Sequence, residues 1–221
     1  MDVLVEARWL ILSGTLATLR VFALSFAMSA ALALVLGLLR QSRNAIVRNV
    51  AMSWVEFFRG TSTVVQLFWL YFALPFFGIS LPAEVAAVIG LGLVHGAYNS
   101  EVVRGAMQSV AREQWEAATA LGFSRRETLK SIILPQAILI MLPPVGNSLV
   151  LLLKGTSIAS IITVHELTFQ AHLVVTRTLA VVEVFGCVLL IYYVIAIAIT
   201  HVVRWLERAL GTWRPQAGIA T

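Results

Sequence analysis

Long apolar runs without charge divide this chain. Val21 to Leu39, Gly60 to Ala83 and Ser131 to Leu153 contain no Asp, Glu, Lys or Arg. Each offers about the 20 apolar or small residues that carry a helix across roughly 30 Å of hydrocarbon. Val85 to Ser100 and about Thr178 to Val203 read the same way less cleanly, the latter interrupted only by Glu183 and His201. The pattern therefore predicts five transmembrane helices, over about residues 15–39, 60–80, 83–103, 137–162 and 178–204. Strand barrels need alternating segments of about ten residues, and these runs are continuous, so the expected fold class is an all-α integral membrane protein.

Two stretches between the runs have patterns of their own. Ile46, Val50, Trp54 and Phe57 make an apolar stripe at helical spacing, followed by Glu56 and Arg59 at ion-pair spacing. That segment is expected to lie along the inner interface before the second span turns upward. The second stretch is the polar insert "REQWEAATALGFSRRETLKSIILPQA" at 112–137. Strong helix formers run from Arg112 to Leu121, and Gly122 comes next, where a helix ends in a left-handed residue. Ser124 stands three residues before Glu127, the capping-box spacing that starts a second helix through Leu129 and Ile132. Pro135 is expected to break that helix or turn it. The insert reads as two short helices joined at a glycine elbow, a loop over 111–135.

Composition agrees with a bilayer. The 221-residue chain is 59% hydrophobic and 12% charged, with a mean hydropathy of +0.89, too much apolar surface for one soluble core. In a five-span arrangement, Arg40, Arg43, Arg48, Arg59, Arg104, Arg112, Arg125, Arg126, Lys130, Arg204, Arg208 and Arg214 fall on one side, leaving Arg8, Arg20, Lys154 and Arg177 on the other. The excess of Lys and Arg marks the cytoplasm, which places the N-terminus outside and the C-terminus inside. The net charge of +5 is then a matter of topology and calls for no nucleic-acid partner. Cys187, the single cysteine, is expected to pack inside the last span. With Asp2 and Glu6 and no basic start, the opening residues are not expected to form a removable signal. One membrane domain is expected over 12–208, with a cytoplasmic tail at 209–221.

Polar side chains within spans usually face a cavity or a partner. Asn147 and Lys154 lie two helical turns apart on one face, with Ser157 beside them, and His95 and Asn99 sit one turn apart on the third span. These five are the candidate lining of a solute path, while Lys154 at a helix end also fits a snorkelling anchor. Pro143 and Pro144 are expected to interrupt the fourth span as a hinge. Glu101 and Arg104 read as an ion pair at the cytoplasmic end of the third span, and Glu183 as a residue near the outer interface. No metal-ligand spacing is present: no two His stand four apart on a helix and no Cys pair exists.

The order Glu116-Ala117-Ala118, Gly122, Ile132, Leu134-Pro135 resembles the signature loop of bacterial ABC-importer permeases. "SGTLATL" at 13–19, "VEFFRGT" at 55–61, "VQLFWLYFALP" at 65–75, "GAYNSEVVRGAMQSV" at 96–110 and "LPPVGNSLVLLLKGTS" at 142–157 narrow the resemblance to permeases for polar amino acids. That resemblance implies a MetI-like fold and a multi-pass position in the bacterial inner membrane, among lipid. It also implies a non-catalytic subunit that works with a cytoplasmic ABC ATPase dimer, an extracytoplasmic solute-binding protein, and a second permease copy or paralogue. Glu116, Ala117, Ala118, Gly122, Ser124 and Glu127 would form the coupling element that the ATPase grips. ATP and Mg would be bound by that partner, since this chain has no Gly-rich Lys-Ser or Lys-Thr phosphate loop. The chain departs from the family at Ser62 and Ala111, where proline is usual, and at Glu113, where glycine is. Two other classes compete: an ATP-independent carrier or channel, which would favour inverted repeats that the chain does not show, and an intramembrane hydrolase pairing Ser157 with His95 or His165.

Overall fold

The computed structural model describes residues 7–211; the opening residues read for a signal and the tail beyond 211 lie outside the described residues. Helix α1, Arg8–Leu39, has 32 residues, about 48 Å at 1.5 Å per residue. One face carries Gly14, Thr18, Ser25, Ser29, Ala33 and Gly37, all buried. Small residues at that spacing let a neighbouring backbone approach closely, the usual source of helix association where no water is present to drive it. The neighbour is α4, Ala83–Gln108. A Cβ added at Gly37 would come within 2.6 Å of Val103 Cγ1, so glycine is required by the contact itself.

Between them, α2 (Ala45–Gly60) and α3 (Thr63–Phe68) are bent by 100° at the break that separates them, and α3 continues through a π turn and a 3₁₀ turn to Phe77. Asn44 caps α2 by accepting from Ile46 N at 2.9 Å. On α2, Ala51 and Val55 face inward against Leu36 and Ala97, while Ile46, Val50 and Phe57 are exposed. Three of the four residues of the apolar stripe seen in the sequence thus face outward, suited to an interfacial position, while Trp54 packs inward against that cluster.

The polar insert folds as α5 (Arg112–Ala120) and α6 (Arg125–Thr128), followed by a π turn, Leu129–Ile133. Helix α7, Leu134–Thr156, continues directly from it and ends in the 3₁₀ turn Ser157–Ile162. Then come α8 (Leu167–Thr178) and α9 (Val181–Gly211).

Pro135 does not break the chain: Arg125–Ile162 forms one 38-residue helical body. A proline clashes with the carbonyl four residues back and donates no hydrogen bond to it, and the widened π turn at 129–133 opens the ladder where that carbonyl lies. Pro143 and Pro144 likewise sit inside α7 without ending it, and each leaves the ladder there without a backbone donor.

The fold is an all-α membrane protein. By length and apolarity, α1, Arg125–Ile162 and α9 qualify as spans, and the bent pair α2 and α3 raises the number to 4. Helix α4 does not join them by composition, because Glu84, Glu101, Arg104 and several glycines dilute it. It is nonetheless 26 residues long, about 39 Å, and lies packed among the other helices with Ala86, Leu91 and Ala97 fully buried.

Candidate functional site

Helices α4 and α7 wall a cavity of about 740 Å³. His95 and Asn99 reach it from α4, Asn147 and Lys154 from α7, and Ser157 from the 3₁₀ turn at the end of α7. The structure therefore brings together the five polar residues singled out in the sequence. Tyr98, Thr63 and Ser148 join them. Lys154 and Asn147 are exposed, and Lys154 forms no ion pair among the described residues. Asn99 is held from behind, its Nδ2 donating to Ser29 Oγ of α1 at 3.0 Å. Ser157 Oγ donates to the Lys154 carbonyl at 2.7 Å, and His165 packs against Phe169 at 4.7 Å. The serine hydroxyl is thus tied to its own backbone, and among the described residues Ser157 is hydrogen-bonded to neither His95 nor His165. Such a cavity, polar at a few points and otherwise apolar, can hold a small zwitterion.

At one end of the cavity, Glu101 gathers three arginines. Its Oε1 accepts from Arg40 Nη1 at 2.6 Å and Arg59 Nη1 at 3.0 Å, and its Oε2 from Arg104 Nε at 2.9 Å. The pair with Arg104 was legible from spacing. The expected partnership of Arg59 with Glu56 does not form: Arg59 lies 5.3 Å from the Tyr98 ring and bonds across to α4. Glu56 is exposed, where water screens an ion pair, whereas Glu101 is partly buried and holds Arg59 through a lower effective dielectric, against the repulsion of the two guanidiniums already there.

The arm at 112–135 is built mainly from local bonds. Gly122 has φ +79°, with nothing within 4 Å of where a Cβ would sit, so the backbone angle alone demands glycine. Ser124 Oγ accepts from Glu127 N at 3.4 Å, and Glu127 Oε2 accepts from Ser124 N at 2.8 Å, completing the capping box. These bonds from Ser124 hold the Glu127 carboxyl below its ordinary pKa. Glu116 pairs with Arg112 at 3.0 Å. Ala118 is buried, whereas Glu116, Ala117 and Glu113 are exposed, and Trp115 packs toward the cluster containing Met107 and Ile133. At the two positions where proline is usual, Ser62 has φ −67° and Ala111 φ −52°, close to the angle a proline ring imposes.

The opposite end of the molecule holds a residue that the sequence did not flag. Glu166 is fully buried and caps α8, accepting from Thr168 N at 2.9 Å and Phe169 N at 2.8 Å. Tyr192 of α9 donates to it at 3.0 Å and Thr18 of α1 at 3.4 Å, while Leu167 N donates to Thr18 Oγ1 at 3.0 Å. Burial pushes its pKa up, outweighing the backbone donors of Thr168 and Phe169 and the Tyr192 hydroxyl. A lone acid before an apolar run was the available signal, weakened because glutamate is an uncommon cap. Nearby, Arg20 Nε donates to Glu84 at 2.6 Å, joining α1 to the start of α4. Cys187 packs with the apolar cluster around Leu167 and Val184.

A bundle of membrane helices with a polar cavity between two of them, and a jointed arm projecting from the wall of that cavity, defines a transport subunit. Residues 14–212 match the family described as binding-protein-dependent transport system inner membrane component, and the chain belongs to that family. It is 42% identical over 80% of its length to the probable amino-acid ABC transporter permease protein y4tF of Sinorhizobium fredii, covering 77% of that relative. The glutamine transport system permease protein GlnP of Escherichia coli is 36% identical, over 91% of this chain and 93% of its own. Among solved structures, an amino acid ABC transporter described with histidines superposes with a TM-score of 0.87 at 32% identity, covering 93% of this chain and 96% of that one. The protein is a non-catalytic, multi-pass permease component of an ABC importer in the inner membrane, and its family implies an ATPase and a binding protein as partners.

Proposed function

We propose that this permease carries a polar amino acid or a related zwitterion through the cavity between α4 and α7, driven by an ATPase dimer acting on the arm at 112–135. The arrangement has five spans, with α3 and its extension as the second and α4 as the third, an external N-terminus and a cytoplasmic C-terminus. A second permease copy or a paralogue completes the pathway, and an extracytoplasmic binding protein delivers the solute. ATP and Mg stay with the ATPase. Glu116 and Ala117 face that partner, while Ala118, expected beside them, is buried on the opposite side of the helix; Gly122 is the joint, and Ser124 with Glu127 stiffens the first turn of the helix beyond it.

The observation that carries this reading is the continuity of Arg125–Ile162 as one helix. The segment after the joint and the wall bearing Asn147 and Lys154 are one body, so a displacement of the arm moves the cavity lining without passing through a loop. Lys154 supplies an unpaired cation toward a solute carboxylate, and His95, Asn99 and Asn147 supply neutral hydrogen-bonding groups.

The test is reconstitution with the candidate ATPase and binding protein, measuring ATP-dependent uptake of an amino-acid panel. Uptake that proceeds without the ATPase would instead establish a carrier or channel. Within the working assembly, Lys154→Met is expected to lower uptake about tenfold, the effect of losing one charge-assisted hydrogen bond of roughly 1.5 kcal/mol. Unchanged uptake would return Lys154 to an anchoring role.

A further inference from the structure

We propose that a hollow between the end of α1 and the cytoplasmic arm binds the phosphate headgroup of an anionic phospholipid from the inner leaflet. This rests on the orientation proposed above, which puts the loop after α1 and the arm on the cytoplasmic side. The hollow has a volume of about 620 Å³. Arg43, Arg125 and Arg126 stand around it, and no carboxylate is among its lining residues.

These arginines are unspent. Arg43 and Arg126 make no ion pair and no side-chain hydrogen bond among the described residues, and Arg125 reaches only the Gln41 carbonyl, at 3.5 Å. The nearest acids in sequence are engaged elsewhere, Glu127 with Ser124 and Glu116 with Arg112. Three guanidiniums around one hollow repel each other, and an anion relieves that repulsion. A phosphodiester suits them because its oxygens match the paired donors of a guanidinium.

The apolar part of the hollow decides for lipid. Leu38, Leu39, Leu129 and the Trp115 ring line it. Leu38 and Leu39 continue upward along one face of α1 into Leu34 and Val35, both exposed. A headgroup held by the arginines would therefore have its acyl chains running along that face toward the bilayer centre, with Trp115 at headgroup depth, where tryptophan is favoured. A free anion has no use for such a trail. The bound lipid would bridge Arg43, ahead of α2, and Arg125 and Arg126, beyond the joint, steadying the arm against the membrane.

The experiment is native mass spectrometry of the full-length protein in nonionic detergent, titrated with short-chain phosphatidylglycerol, phosphatidylcholine or inorganic phosphate. Phosphatidylglycerol is expected to bind at least about tenfold more tightly than phosphatidylcholine, as three basic groups near a headgroup allow. Combined R43Q/R125Q/R126Q substitution should abolish that preference, whereas R43K/R125K/R126K should keep most of it and R208Q all of it. The unfolding midpoint of each variant in detergent verifies that it is folded.

Equal binding of both lipids, or an unaffected glutamine variant, overturns the proposal. Inorganic phosphate that displaces the lipid at equal concentration overturns the lipid source and leaves a plain anion site. If the glutamine variant keeps phosphatidylglycerol but loses the ATPase in lipid-free detergent, the arginines serve protein docking and the proposal fails. Orientation is read separately, by labelling Arg43→Cys in a Cys187→Ser background with an impermeant maleimide. Labelling from the periplasmic face removes the proposed topology and the inner-leaflet assignment, even where phosphatidylglycerol still binds.

Discussion

The two ends of this permease are held by opposite means. At the Glu166 end, a buried carboxylate joins α1, α8 and α9, with partners as far apart in sequence as Thr18 and Tyr192. In the arm, apart from one 3.5 Å bond from Arg125 to the Gln41 carbonyl, the side-chain bonds are local: Ser124 with Glu127 and Arg112 with Glu116, all solvent-exposed. Long-range buried bonds fix helices relative to one another, because leaving any of them unmade in a dry site is expensive. Local exposed bonds shape a segment and leave its position free. The contrast separates an end whose helices are pinned to one another from an end shaped by its own residues, as the proposed coupling to an ATPase requires.

The sharpest way to break this contrast is at Glu166. Replacement by alanine strands the N–H groups of Thr168 and Phe169 and should destabilise the protein by about 3 kcal/mol, read as a lowered unfolding midpoint in detergent. Its pH dependence sharpens the point. Since burial raises the folded-state pKa of Glu166, the folded protein holds that proton more tightly than the unfolded chain does. Stability should fall as pH rises from the ordinary carboxylate range through the raised pKa, and stay level above it. Glu166→Gln should flatten this slope.

At the joint the expected effect is smaller in stability and larger in function. Gly122→Val places a β-branched residue at positive φ, a cost of about 1–2 kcal/mol, and should uncouple ATP hydrolysis from uptake with membrane insertion intact. Gly122→Asn, which tolerates that angle, should retain most uptake. Normal transport in the valine variant would show that the joint does not matter. The smallest effect is expected at the cap. Glu127→Ala should speed hydrogen exchange at residues 124–128 without moving the unfolding midpoint. In the unsubstituted protein, the same loosening should appear as pH falls through the lowered pKa of Glu127, because the cap is complete above the ordinary carboxylate value and lost below the folded one.

What the sequence revealed divides along the same line. The capping box, the left-handed glycine and the facing of Asn147 with Lys154 depend on residues within two turns of each other, and spacing alone exposes them. The apolar runs located the long helices, although α1 begins at Arg8 rather than near residue 15; the 100° bend falls between Gly60 and Thr63, at the start of the second apolar run, where the chain is expected to turn. The Glu166 brace and the capture of Arg59 by Glu101 depend on which helices become neighbours, information that no local pattern holds. Pro135 misled for a related reason: the rule that proline ends a helix is written for an unbroken i to i+4 ladder, and the preceding π turn had already changed that ladder.

That π turn has a geometric consequence. A π turn inserts one surplus residue into a helix that otherwise advances about 100° per residue. Everything on the arm side of Leu129–Ile133 is therefore rotated by roughly that angle from where an unbroken α-helix would aim it. The compass bearing of Arg125 and Arg126, measured against Asn147 and Lys154, is thus set by a single supernumerary residue at the root of the arm.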